Sequence, residues 1–271
     1  MKHYIYICSF VILLAASSCD KLLDKEPTSQ VSPEKYLNDA SQLGYYANGL
    51  YTNILPSHSG YSLTFVKDQS TDNQAYITPH SIYIKDSWTV PANDSWNFKN
   101  IYDCNYFLER VLPRYEKGEV SGSTTEICQY IGEVLFLRAY EYFDLYQNYG
   151  DLPIVTNTLP DDQTVLTEAS KRFPRNEVAR FILSDLDKAL EMMPEQFESR
   201  HTRINRNCVL LLKSRVALYE GTFLKYFKGT PFVPQGEGWP GAQKEYSASY
   251  QYPLGGIDEE INWFLDQAIT S

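Results

Sequence analysis

The chain has 271 residues, with 24 Lys and Arg against 34 Asp and Glu and a formal charge of −10; this is long enough to bury a substantial core in one large domain or two modest ones. Its 22 Tyr, 13 Phe and 4 Trp argue against intrinsic disorder, which goes with few aromatics. The acidic balance argues against nucleic acid as a partner, because phosphate contacts need concentrated Lys and Arg. No apolar run reaches the roughly 18 residues of a membrane-spanning helix.

Lys2 and the uncharged, largely apolar stretch from Tyr4 to Ala16 read as a secretory signal over residues 1–18, too short to span a bilayer. Ala16-Ser17-Ser18-Cys19 sets three small residues before a cysteine. It resembles a bacterial lipobox, in which cleavage precedes the cysteine and its sulfur receives lipid. Cys19 is therefore the expected lipidation site, and several acyl chains anchor more firmly than one. Residues 19–32 are polar and carry Pro27, as a flexible acylated tether would. Cys104, Cys128 and Cys208 remain for the folded part. Each sits in an apolar helical stretch and reads as a buried free thiol, with one disulfide among them left open.

The folded part, 33–271, reads as helical. Tyr36, Leu37, Ala40, Leu43, Ala47, Leu50, Tyr51 and Ile54 step by threes and fours, predicting a helix that starts near Ser32-Pro33 and stops at Pro56. A polar strand-and-turn stretch follows from Ser57 to about Asn97. The second helix runs from about Phe98 to Pro113. The third, Thr124 to about Tyr149, is the longest, and Gly150-Asp151-Leu152-Pro153 is a strong stop. Residues 154–172 read as loop. Pro174 opens a fourth helix that Pro194 closes, with Val178, Phe181, Ile182, Leu186 and Leu190 on one side and Asp185, Asp187 and Lys188 toward the other. A fifth helix spans about Asn207 to Phe227. A Gly/Pro-rich run with Trp239 and three Tyr precedes a last helix from Asp258 to Ser271. The fold class is all-α, with antiparallel helix pairs of the tetratricopeptide kind, although no clean 34-residue repeat is present.

Glu133 to Leu145, which reads EVLFLRAYEYFDL, leads into Tyr149-Gly150-Asp151-Leu152-Pro153. This block resembles the signature helix of the SusD/RagB family of nutrient-binding outer-membrane lipoproteins. Glu177 to Leu190 and Arg206 to Tyr219 resemble the next two helices in order and spacing. The resemblance covers almost all of 19–271. It implies a lipid-anchored, surface-exposed protein of the outer membrane that captures an oligosaccharide and delivers it to a SusC-like TonB-dependent porin. Members of the family are considerably longer, so the resemblance also implies that this is the N-terminal portion of a longer protein.

Sugar binding calls for flat apolar faces that stack on pyranose rings and for planar polar groups that take several hydroxyls. Asp68, Asp72, Asn73, Trp88, Trp96 and Asn100 combine both on expected loop positions and are the candidate ligand residues; the bland alternative is that the two Trp cover helices beneath them. Trp239, Tyr246, Tyr250 and Tyr252 form a second aromatic loop, equally suited to meet the rest of the protein, the porin or a sugar. Arg138 shares a face with apolar neighbours and is expected to be partly buried and paired with a carboxylate. The Tyr stripe of the third helix reads as packing surface. The carboxylate pairs Asp161-Asp162 and Glu259-Glu260 are adjacent in sequence and are not the opposed pair of a glycosidase. Neither metal-ligand spacing nor a nucleophile or nucleotide motif is present, so no cofactor, metal or catalysis is expected. The acidic charge suits neutral sugars and weighs mildly against strongly anionic ligands. The alternative reading is a helical-repeat scaffold lipoprotein that binds proteins and no glycan.

Overall fold

Stretches whose apolar residues recur every three or four positions can bury them only against one another. The computed structural model, which describes residues 36–56, 84–87, 97–197 and 202–271, does this with seven α-helices. They are α1 (Ala40–Ile54), α2 (Lys99–Glu116), α3 (Thr124–Tyr149), α4 (Gln163–Ala169), α5 (Arg175–Met192), α6 (Arg206–Phe227) and α7 (Ile257–Thr270). Among the described residues there is no strand, only the isolated bridges Asp39–Ser121 and Leu152–Phe173. The fold is all-α, built of tetratricopeptide-like helix pairs.

The long helix α3 is the spine. It packs on α1 and α2 on one side and on α5 on the other; α5 then packs on α6, and α6 on α7. Fifteen of its residues are buried, including Ile131, Val134, Leu137 and Tyr142. Each such large apolar side chain contributes roughly 1.5–3 kcal/mol by leaving water. Close approach of α3 and α5 requires Gly132, because a Cβ there would meet Met193 Cγ at 2.5 Å and the Ala189 carbonyl at 3.2 Å.

Four buried carboxylates fix how the helices sit on one another. Glu133 of α3 takes Arg203, at 2.5–2.7 Å. Asp185 of α5 takes Arg138 of α3 through two bonds of 2.7 and 2.8 Å. Glu220 of α6 takes Arg175 of α5, and Glu260 of α7 takes Arg180 of α5. All four carboxylate side chains are 0 % exposed. Burying ions costs several kcal/mol each, so these forks set register more than they add net stability.

Several expected boundaries shift. The first helix begins at Ala40, because the Asp39 side chain accepts from the Gln42 amide and caps it; Ser32-Pro33 lies outside the described residues. Pro113 falls inside α2, which continues to Glu116. The 154–172 segment contains α4, capped by Asp162 and without a buried residue. Asp185, expected toward the polar side, is wholly buried. Of the three thiols, all free, only Cys104 is buried; Cys128 is half-buried, with its thiol donating to the Tyr115 hydroxyl, and Cys208 is exposed. Among the described residues no helix is long and apolar enough to cross a membrane.

Candidate ligand-binding site

The site is built at the corner where α3 ends. Gly150 adopts φ +69°, a left-handed conformation that favours glycine, and its amide donates to the Tyr146 carbonyl. The chain turns there and presents Asp151, which ties three segments together. One carboxylate oxygen accepts from the Arg175 amide at 2.8 Å, supplying the cap that Pro174 cannot give α5. The other accepts from the Trp239 indole at 3.2 Å, which pins the 229–256 loop against the corner. Burial raises the Asp151 pKa, with the bonds from Trp239 and Arg175 and the charges of Arg175 and Arg172 opposing it.

Under this corner lies a second layer. Arg175 donates through Nε and Nη2 to Glu220 at 2.9–3.3 Å and through Nη2 to the Tyr146 hydroxyl at 2.6 Å. Its guanidinium stacks 3.3 Å from the Phe223 ring centroid. The Tyr146 hydroxyl also donates to Glu220. Burial opposes the charge on Arg175, but Glu220 and Tyr146 outweigh it and raise its pKa. Burial likewise raises the Glu220 pKa against the pull of Arg175. The floor is thus rigid and its charges are satisfied internally.

Above the floor opens a cleft of about 600 Å³. Gln147, Asn148 and Tyr149 line it from α3, Ser170 and Arg172 from the connection to α5, and Phe232, Lys244 and Tyr246 from the 229–256 loop. Phe232 is 63 % exposed and Tyr246 44 %, so both rings are partly open to solvent. Phe232 is held by an edge contact to Phe227, which in turn packs at a tilt against Phe223. Gln147 and Lys244 are exposed. The cleft therefore combines aromatic faces with an amide and cations able to hold hydroxyl or acidic oxygens.

A second groove, of about 400 Å³, lies between α2, the 153–159 segment and α4. Its lining includes Phe98, Ile101, Tyr102, Val155, Leu159 and Leu166, and no charged residue. Its buried polar member, Asn105, is engaged on both sides. The amide nitrogen donates to the Val155 carbonyl at 2.9 Å, and the amide oxygen accepts from Arg138 at 2.8 Å.

Asp68, Asp72, Asn73, Trp88 and Trp96 lie outside the described residues, as does Cys19. Asn100, expected on a loop, is the second residue of α2. It is half-buried and hydrogen-bonded to Glu141 of α3, and lines neither cavity. In the second aromatic loop the roles divide. Trp239 and Tyr252 are buried, Tyr250 bonds to Asn176 and Glu177, and Tyr246 faces the cleft. Arg138 is buried and paired, as expected from its position among apolar neighbours. Gln147, Arg172, Phe232 and Lys244 were not legible as site residues, because they come together only in the folded chain, where Trp239 reaches Asp151 across 88 positions and Tyr250 reaches Asn176 and Glu177.

Residues 21–218 match the model of a SusD-like family described as starch-binding and associating with the outer membrane, and the chain belongs to that family. It is 25 % identical over 248 residues to SusD-like protein P2 of Formosa agariphila, covering 88 % of this chain and 47 % of that one. SusD-like protein P38 of the same organism is 26 % identical over 227 residues, with 78 % and 42 % covered. The chain thus spans about half the length of the curated relatives it matches. Among solved structures, a SusD-like carbohydrate-binding protein from Bacteroides fragilis superposes with a TM-score of 0.51 at 18 % identity. That match covers 70 % of this chain and 40 % of the other, and it supports the fold.

Proposed function

We propose that this chain is the glycan-capturing portion of a non-catalytic surface lipoprotein, and that the cleft at the α3 corner is where a sugar is held. The ligand stacks on Phe232 and Tyr246 while Gln147, Arg172 and Lys244 engage its oxygens. The observation that carries this reading is the pairing of exposed aromatic faces with polar groups over a floor whose own charges are already satisfied. Family membership supports a carbohydrate ligand and an outer-membrane setting. The rest extends the sequence reading. Residues 1–18 direct export, Cys19 carries lipid, 19–32 form the tether, and the 33–271 domain hands oligosaccharide to a SusC-like TonB-dependent porin. Asp68, Asp72, Asn73, Trp88, Trp96 and Asn100 remain proposed as additional contacts.

The test is affinity electrophoresis or titration calorimetry of the full-length protein against a panel of oligosaccharides. Phe232→Ala and Tyr246→Ala are each expected to weaken binding about tenfold, or about 1.4 kcal/mol, with folding unchanged. Wild-type protein that binds a protein partner but no glycan on the panel would favour the scaffold alternative instead.

A further inference from the structure

We propose that the cleft at the α3 corner selects glycans that carry an anionic group, the carboxylate of a uronic acid or a sulfate ester; this rests on the glycan-binding reading of the same cleft. The chain as a whole is acidic, with a formal charge of −10. The cleft departs from that balance, since its walls carry Arg172, Arg175 and Lys244 against one carboxylate, Asp151. Two of those charges turn inward. Arg175 is neutralised by Glu220 beneath the floor; both Asp151 oxygens accept from the Arg175 amide and the Trp239 indole, and its charge also feels Arg172, so the cleft keeps a net positive balance through Lys244. Arg172 and Lys244 are exposed, and among the described residues the Lys244 ammonium has no carboxylate partner. Lys171 also lies nearby, its ammonium 5.8 Å from the Tyr246 ring centroid, but its charge is paired with Glu168.

Range decides whether the acidic remainder of the chain cancels this. The screening length is about 8 Å at physiological salt, so distant carboxylates fade for a ligand in the cleft. A cation at about 4 Å acts with little screening. Arg172 offers the planar fork that matches a carboxylate or sulfate, and Lys244 a compact point charge. Phe232 and Tyr246 supply the flat faces that a pyranose ring needs. A small inorganic anion would have no use for the aromatic rim, and a neutral glucan would use the cations only as hydrogen-bond donors to its hydroxyls, not as charges. A charged sugar uses both. This reverses, within one cleft, the preference for neutral ligands that the overall charge implies.

The experiment is isothermal titration calorimetry of the full-length protein at about 0.15 M salt with three probes of equal length. They are a neutral galacto-oligosaccharide, an oligogalacturonide and a sulfated galacto-oligosaccharide. At least one charged probe is expected to bind ten times tighter than the neutral one or better, and whichever does so names the anionic group. Lys244→Gln and Arg172→Gln, both at exposed positions, are each expected to shrink that preference at least threefold. A neutral probe that binds as tightly as both charged ones overturns the anionic preference and leaves the glycan reading standing. Absence of binding by all three overturns both. A preference that survives intact in the two variants overturns its assignment to this cleft.

Discussion

The two cavities share Ser170 at their common edge and are built on the same device, yet they present opposite chemistry. Beneath the uncharged groove, Arg138 of α3 is clamped by Asp185 of α5 and Asn105 of α2. Beneath the charged cleft, Arg175 of α5 is clamped by Glu220 of α6 and Tyr146 of α3. In both, a buried guanidinium is satisfied by groups from other helices, so the floor is stiff and offers nothing to a ligand. The rims make the difference. The groove is walled by α2, the 153–159 segment and α4, whose polar atoms are turned to one another. The cleft is walled by the 229–256 loop, which is anchored at Trp239 and Tyr252 and so can leave Phe232, Lys244 and Tyr246 facing out. A buried ion pair sets the platform, and the loop laid over it sets the chemistry.

The largest effect should come from breaking one floor and not the other. Glu220→Ala leaves Arg175 buried without its carboxylate, an expected loss of about 3–5 kcal/mol in denaturant unfolding, accompanied by loss of glycan binding as the cleft loses its base. Asp185→Ala should cost a similar amount under the groove while sparing most of the affinity in whatever protein remains folded. Equal loss of binding per unit of stability in both variants would erase the distinction between the cavities.

A smaller effect separates the cavities by pH. The folded Asp151 carboxyl has its pKa raised, chiefly by burial. A group raised in the folded state contributes stability below its unfolded pKa, and that contribution is lost as pH rises through the folded value. Replacing it with Asn keeps an acceptor for the Arg175 amide and removes the titration. Subtracting the stability–pH curve of Asp151→Asn from that of wild type should therefore give a difference that falls with rising pH from about 3.8 upward. A flat difference would show that this carboxyl titrates as it does in water.

Much of the framework was legible because its signals are local. The periodicity of Ile127 to Leu145 and the Gly150 to Pro153 stop delimit α3 at the residues observed, and Arg138 among apolar neighbours foretold a buried pair. Its partner was not legible. Asp185 sits one residue before Leu186, and reading faces from periodicity assigns a carboxylate to water unless its cation is known to arrive from another helix. The short α4 buries nothing, so it leaves no apolar period to read. The site was harder still. Phe232, between Pro231 and Thr230 on one side and Val233 and Pro234 on the other, looks like any turn residue until Trp239 reaches Asp151. The only local hint was the aromatic density of the 239–252 run, and three of its four aromatics, Trp239, Tyr250 and Tyr252, serve to hold the loop.

Hydrogen–deuterium exchange of the full-length protein, with and without a saturating oligosaccharide, addresses the central claim most directly. Sugar should slow exchange at the α3 corner, residues 147–151, and in the loop at 244–247, while 98–105 and 153–159 remain unchanged. Protection confined to the groove segments, with the corner and the loop unaffected, would contradict the account.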